Sequence, residues 1–384
     1  MTLSKIAVLP LILAFTATLL AWTEPVHARD GGRKVVHTSR KKSTKKSRRS
    51  SWKKKPAVRP PAHARPADPA AEAAALAASG EALLDGYDGT DNAMIDRAES
   101  EFRKALATEP GLVAGYVGLS KVAAYRGYAG GGSFDDRALT RALTLADRAL
   151  ELDPSSGAAY LQRGYILFYL ESYGLARRQA DRAEGLGVKA SALYGELAIK
   201  SGDRTEARRM FKAALGEAGE SRGRKADALD ALGELAMADA DYDTAVEMFK
   251  GASALRPDSS WEASNYGLAL VQSGRYDEAI EILGYSLKKH DFPEARSNLA
   301  LAYLKKGVFL HDSGETARAK RCYLNALEID PGLKPVYRNL AAIYQAEGND
   351  EGVRSLCRRL MKQDPDDPWA RLTLEEMAGT VPPH

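Results

Sequence analysis

Few residues in this 384-residue chain have the chemistry of a reaction centre, and their spacing assembles none. There are two cysteines, Cys322 and Cys357, and beyond residue 70 the only histidines are His290, His311 and the terminal His384. Two cysteines 35 positions apart, with no histidine cluster beside them, are neither a disulfide framework nor a metal set. A single bridge between them and two buried thiols acting as small apolar groups are both open readings. No phosphate loop ending in Lys-Ser/Thr, no His-Glu-x-x-His, no Cys-x-x-Cys and no Gly-x-Ser-x-Gly elbow occurs. His290 and His311 read as exposed surface residues, and Gly130-Gly131-Gly132 as a flexible insertion rather than an anion cradle. The expectation is a protein without catalytic residues, cofactor or metal.

The charge is divided sharply. The net charge of +4 conceals residues 29–65, which carry 15 Lys or Arg against the single acid Asp30, a local +14 that leaves the rest at −10. Within this arm lie Arg40, Lys41, Lys42, Lys45, Lys46, Arg48, Arg49, Trp52, Lys53, Lys54 and Lys55. So polar a tract cannot recover its ordering entropy by burial and is expected to be disordered. It reads either as a solvated spacer or as an attachment to a polyanion, meaning anionic lipid, an acidic wall polymer or nucleic acid. Pro56, Pro60, Pro61, Pro66 and Pro69 then mark a semi-stiff tether, so residues 29–70 form one linker.

Ahead of it, Ile6 to Trp22 is an almost unbroken apolar run preceded by Lys5 and followed by Val26-His27-Ala28. Small residues in the last and third-last places before Arg29 fit cleavage of a signal peptide over 1–28, while residues 6–22 equally fit an uncleaved anchor. No cysteine follows the run, which excludes a lipoprotein. Either reading places the protein outside the cytoplasm, in a periplasm or cell envelope. The positive tract just after the run opposes that, because dense basic charge resists translocation.

From about residue 79 the chain repeats itself. The unit 226–259 places Leu229, Leu232, Gly233, Ala236, Tyr242, Ala245, Phe249, Ala252 and Pro257 at positions 4, 7, 8, 11, 17, 20, 24, 27 and 32. Small residues at 8 and 20 allow two helices to approach, large ones fill the space between, and proline stops the second helix. Units 260–293, 293–333 and 334–367 follow in phase, the second about seven residues too long, as though its first helix gained two turns through Phe309. Upstream, 79–112, 113–156, 157–187 and 188–221 match more loosely, with an interruption at Gly86 to Thr90 and about ten extra residues around Gly130. Trp369, Leu372 and Met377 mark a capping helix over 368–380.

This pattern resembles the tetratricopeptide repeat family over most of the chain beyond the linker. The resemblance implies an all-α, right-handed superhelical solenoid of about eight helical hairpins over 71–384. It also implies a concave groove lined by first-helix positions 2, 5, 6, 9, 12 and 13. Position 6 is Asn265, Asn298 and Asn339 in three successive units, either a row of amides for the backbone of an extended peptide or a local polar filler. Trp261, Lys305, Arg338 and Gln345 fall on the same face. In the N-terminal half, Tyr125, Tyr165, Phe168 and Tyr169 are either packing or an apolar groove. The expected function is a non-enzymatic scaffold for a protein or peptide partner. The alternatives are a nucleic-acid or polyanion binder acting through the arm, and an accessory subunit of a polysaccharide or pilus export machine.

Overall fold

The computed structural model describes residues 68–87, 91–130, 133–217 and 221–379. The apolar run 6–22 and the eleven named residues of the basic arm lie outside them. The described residues form eight helical hairpins and a final helix: α1 (Pro69–Asp85) with α2 (Asn92–Thr108), α3 (Val113–Arg126) with α4 (Asp136–Leu152), α5 (Gly157–Tyr169) with α6 (Tyr173–Gly185), and α7 (Ser191–Ser201) with α8 (Arg204–Gly216). Then come α9 (Arg222–Ala238) with α10 (Tyr242–Leu255), α11 (Ser260–Gln272) with α12 (Tyr276–Lys289), α13 (Pro293–Asp312) with α14 (Thr316–Ile329), α15 (Lys334–Ala346) with α16 (Asp350–Gln363), and α17 (Pro368–Met377). Each helix packs on its sequence neighbours, which makes the body an all-α repeat solenoid. No helix among the described residues is long and apolar enough to cross a membrane.

The first helix begins ten residues before the expected unit start, at Pro69, where proline supplies a preset φ and an alanine-rich sequence follows. The interruption falls between α1 and α2, where Asp91 caps α2 by accepting from the backbone N–H of Ala93 and Met94. The insertion after α3 is not simply a loose loop. Tyr128–Gly130 (β1) pairs antiparallel with Ser133–Phe134 (β2), and the Phe134 ring stacks on Tyr169 at 4.4 Å.

The hairpin contact follows from residue size. A Cβ at Gly195 or Gly233 would lie 2.8 Å from the ring of Phe211 or Phe249, so only hydrogen fits where the second helix presses its aromatic residue. In the seventh hairpin the small residue facing Tyr323 is Gly307, not Ala300, one heptad later than the sequence phase placed it. The two extra turns of α13 shift the contact along the helix. The turns close alike. In six hairpins the residue after the first helix's left-handed position donates its N–H to the carbonyl five residues back, as Asp203 does to Ala198 (2.9 Å) and Arg275 to Leu270 (2.8 Å). Gly202, Gly274, Gly314 and Gly348 hold that position with φ from 67° to 81°, and Glu171 and Ala240 hold it at 57°.

Candidate functional site

First-helix residues divide into two faces, one closed and one open. In the N-terminal half, α1 reaches α9: a Cβ at Gly223 would sit 3.0 Å from the Asp85 carbonyl oxygen, and Ser221 hydrogen-bonds the Asp85 side chain. The face of α1, α3, α5, α7 and α9 thereby closes around a cavity of about 70 Å³. Tyr125, Tyr165 and Tyr169 line it, as their groove positions implied, whereas Phe168 is turned into the hydrophobic core and is 1% exposed. A groove wide enough for an amphipathic helix is absent here, because the contact of α1 with α9 fills it.

The charged groups of this cavity escaped the sequence reading. Lys121 on α3 pairs with Glu81 on α1 at 2.7 Å. Arg256, at the end of α10, donates from Nη1 to Glu262 Oε1 (2.9 Å) and from Nη2 to Asp227 Oδ1 (2.8 Å) and the Gly223 carbonyl (3.1 Å). Burial works against its charge, yet Asp227 and Glu262 hold the guanidinium well above its ordinary value. Glu196 on α7 is 3% exposed, and burial, with Asp227 adding to it, pushes its carboxyl up to about 8. Burial also raises Asp230 and Glu234, one turn apart on α9, well above the carboxylate range. A signal was available: Lys121, Glu196, Asp227, Asp230 and Glu234 all fall on positions 2, 5 or 9 of their units, the places the repeat turns inward.

The C-terminal face is built from α11, α13, α15 and α17. Asn265 is buried and its Nδ2 has no hydrogen-bond partner among the described residues; nor has Nε1 of Trp261, one turn away, whose ring meets Phe292 edge-on at 5.7 Å. Asn298 donates to the carbonyl (3.2 Å) and hydroxyl (2.9 Å) oxygens of Ser264, bracing α13 on α11. Asn339 hydrogen-bonds the Tyr323 hydroxyl. Each of these two amides thus makes a contact inside the protein. Arg338 is exposed and lies over the Trp369 ring at 5.9 Å, Gln345 is exposed, and Lys305 is half-buried.

The remaining residues that could do chemistry are placed apart. Cys322 and Cys357 are buried and unpaired, so the bridge left open by the sequence is not formed, and burial pushes both thiols up. His290 and His311 are exposed. Among the described residues no group of three or more His, Cys, Asp or Glu is placed to hold a metal ion.

Residues 236–302 match one family model described as tetratricopeptide repeat, and residues 300–333 match a second of the same description. No curated protein matches the chain. Among solved structures, the C-terminal part of a TPR repeat-containing protein from Cytophaga hutchinsonii is 17% identical, with 62% of this chain and 94% of that chain covered and a TM-score of 0.46. The human IFIT1 dimer with m7Gppp-AAAA is 15% identical over 81% of this chain and 72% of that one, at 0.44. MamA is 21% identical over 48% of this chain and 96% of its own, at 0.34.

Proposed function

Because the chain is a tetratricopeptide-repeat protein, we propose that it is a non-enzymatic interaction scaffold that holds an extended protein segment across the face of α11, α13 and α15. The observation that carries this reading is the pair of unpartnered donors, Trp261 Nε1 and Asn265 Nδ2, one turn apart on α11. A buried donor without an acceptor costs about 1–3 kcal/mol, which a peptide carbonyl would recover after a side-chain rotation that uncovers the two shielded nitrogens. Exposed Arg338, beyond them on α15, supplies a cation for a carboxylate of the same segment. The apolar run 6–22 and the small residues before Arg29 support export to a cell envelope, where the +14 arm would hold the scaffold to an anionic surface.

Selection of displayed peptides on the full chain tests this. Enriched peptides should bind the Asn265→Ala/Arg338→Ala variant at least about tenfold more weakly, a 1.4 kcal/mol change. Equal binding by that variant would remove the groove from the proposal. Capture only of acidic peptides, lost steeply as salt rises, would instead assign binding to the basic arm.

A further inference from the structure

The closed cavity of the N-terminal half is unexplained by a groove that lies on α11 to α15, and its lining has a definite chemistry. Four of its lining residues are tyrosine: Tyr87 just after α1, Tyr125 on α3, and Tyr165 and Tyr169 on α5. Its cations are already satisfied. Lys121 is paired with Glu81, Arg256 with Glu262 and Asp227, and Arg224 lies over the Tyr165 ring at 5.4 Å. Glu196 differs. It lines the same cavity, is 3% exposed, and its Oε2 has no hydrogen-bond partner among the described residues.

We propose that this cavity binds a small organic ammonium ion, with Glu196 accepting from the ammonium group and the tyrosine rings facing its positive charge. Aromatic faces attract a desolvated cation through their quadrupole, and a buried carboxylate gives that cation a counter-charge. The charge count agrees. Glu81, Asp85, Glu196 and Asp227 on the lining, with Glu262 on Arg256, exceed Lys121, Lys200, Arg224 and Arg256 by one negative charge once Glu196 ionises. A monocation cancels that excess, whereas an anion would meet cations already engaged. Size limits the ligand: about 70 Å³ holds several water-sized groups, at roughly 10–15 Å³ each, so alkylammonium ions of a few carbons fit and a peptide does not. Glu81 and Asp227 remain 35% and 39% exposed, which marks the side from which a ligand enters.

Binding must also move a proton. With its carboxyl held up to about 8, Glu196 is mostly neutral at pH 7 and has to ionise to hold the cation. Calorimetric titration of the full chain with propylammonium chloride, at pH 7 in two buffers of different ionisation enthalpy, reads both events. The expected result is binding near 1 mM with release of close to one proton per ligand, tightening as pH rises toward 8. Glu196→Gln keeps the shape and neutral state of the protonated side chain, so it should melt no lower than the parent yet bind at least about tenfold more weakly. Absence of propylammonium binding, equal binding by Glu196→Gln, or binding without proton release would each overturn the proposal. So would tighter binding of acetate or inorganic phosphate, which would make this an anion site.

Discussion

Arg256, the residue that follows the last turn of α10, shows how much one side chain can carry in a repeat. It is 9% exposed and ties three elements together, reaching Glu262 on α11 and Asp227 and the Gly223 carbonyl on α9. Glu262 is fully buried, so removing its guanidinium partner leaves a buried carboxylate without its ion pair, held by the Ser259 hydroxyl. Breaking a buried pair from one side costs about 3–5 kcal/mol, whereas replacing both partners costs far less. Arg256→Met should therefore lower the urea midpoint by an amount in that range, and Arg256→Met/Glu262→Gln should recover much of it. Equal losses in the single and double variants would show that the arginine acts through its packed stem instead.

At the scale of the element, the helix-to-helix turn is the unit the sequence reuses. Four of the six turns closed by the same hydrogen bond place glycine in the left-handed conformation, while Ala240 takes it with a Cβ, at φ 57°. That conformation costs an L-residue roughly 1–2 kcal/mol, partly offset by the greater freedom glycine loses on folding. Ala240→Gly should thus stabilise by about 0.5–1 kcal/mol and Gly274→Ala should destabilise by about 1 kcal/mol, read from chemical unfolding. The chemistry of these turns is local: glycine reaches the left-handed conformation without a Cβ clash, and Glu171 and Ala240 take it in the other two. The contact of α13 is not local. Ala300 and Gly307 are both small and one heptad apart, and only packing against Tyr323 decides which of them faces the second helix.

At the scale of the whole molecule, the closed N-terminal face makes stability depend on pH in an unusual direction. Glu196, raised to about 8, stays protonated in the folded chain while the unfolded chain ionises near the ordinary glutamate value of 4.5. The unfolded state then binds fewer protons between those values, so stability falls as pH rises from about 4.5 to 8 and is level above. Asp230 and Glu234, also raised, act in the same sense. Groups facing Glu196 set the size of the effect, Asp227 raising its carboxyl and Lys200 lowering it. The melting temperature should drop between pH 5 and pH 8, and Glu196→Gln should flatten that drop. At pH 7 the variant gains on the order of 3 kcal/mol, from about 1.4 kcal/mol per pKa unit. A parent and variant with parallel pH profiles would place the ionisation elsewhere.

Taken alone, the sequence determined the periodic properties: the paired helices, the small-against-large contact in pairs of regular length such as α9 with α10, the extended first helix of the seventh hairpin and the final helix. Each depends on residues within about one 34-residue unit, close enough that spacing implies contact. It also named the inward positions of Tyr125, Tyr165 and Tyr169, which line the cavity, although nothing in it separated them from Phe168. The tertiary structure alone decided that α1 meets α9, more than 130 residues along the chain. That contact is the sum of small rotations between successive hairpins, which no single unit encodes. It narrows the N-terminal face to a cavity in which Glu196 is shielded from water.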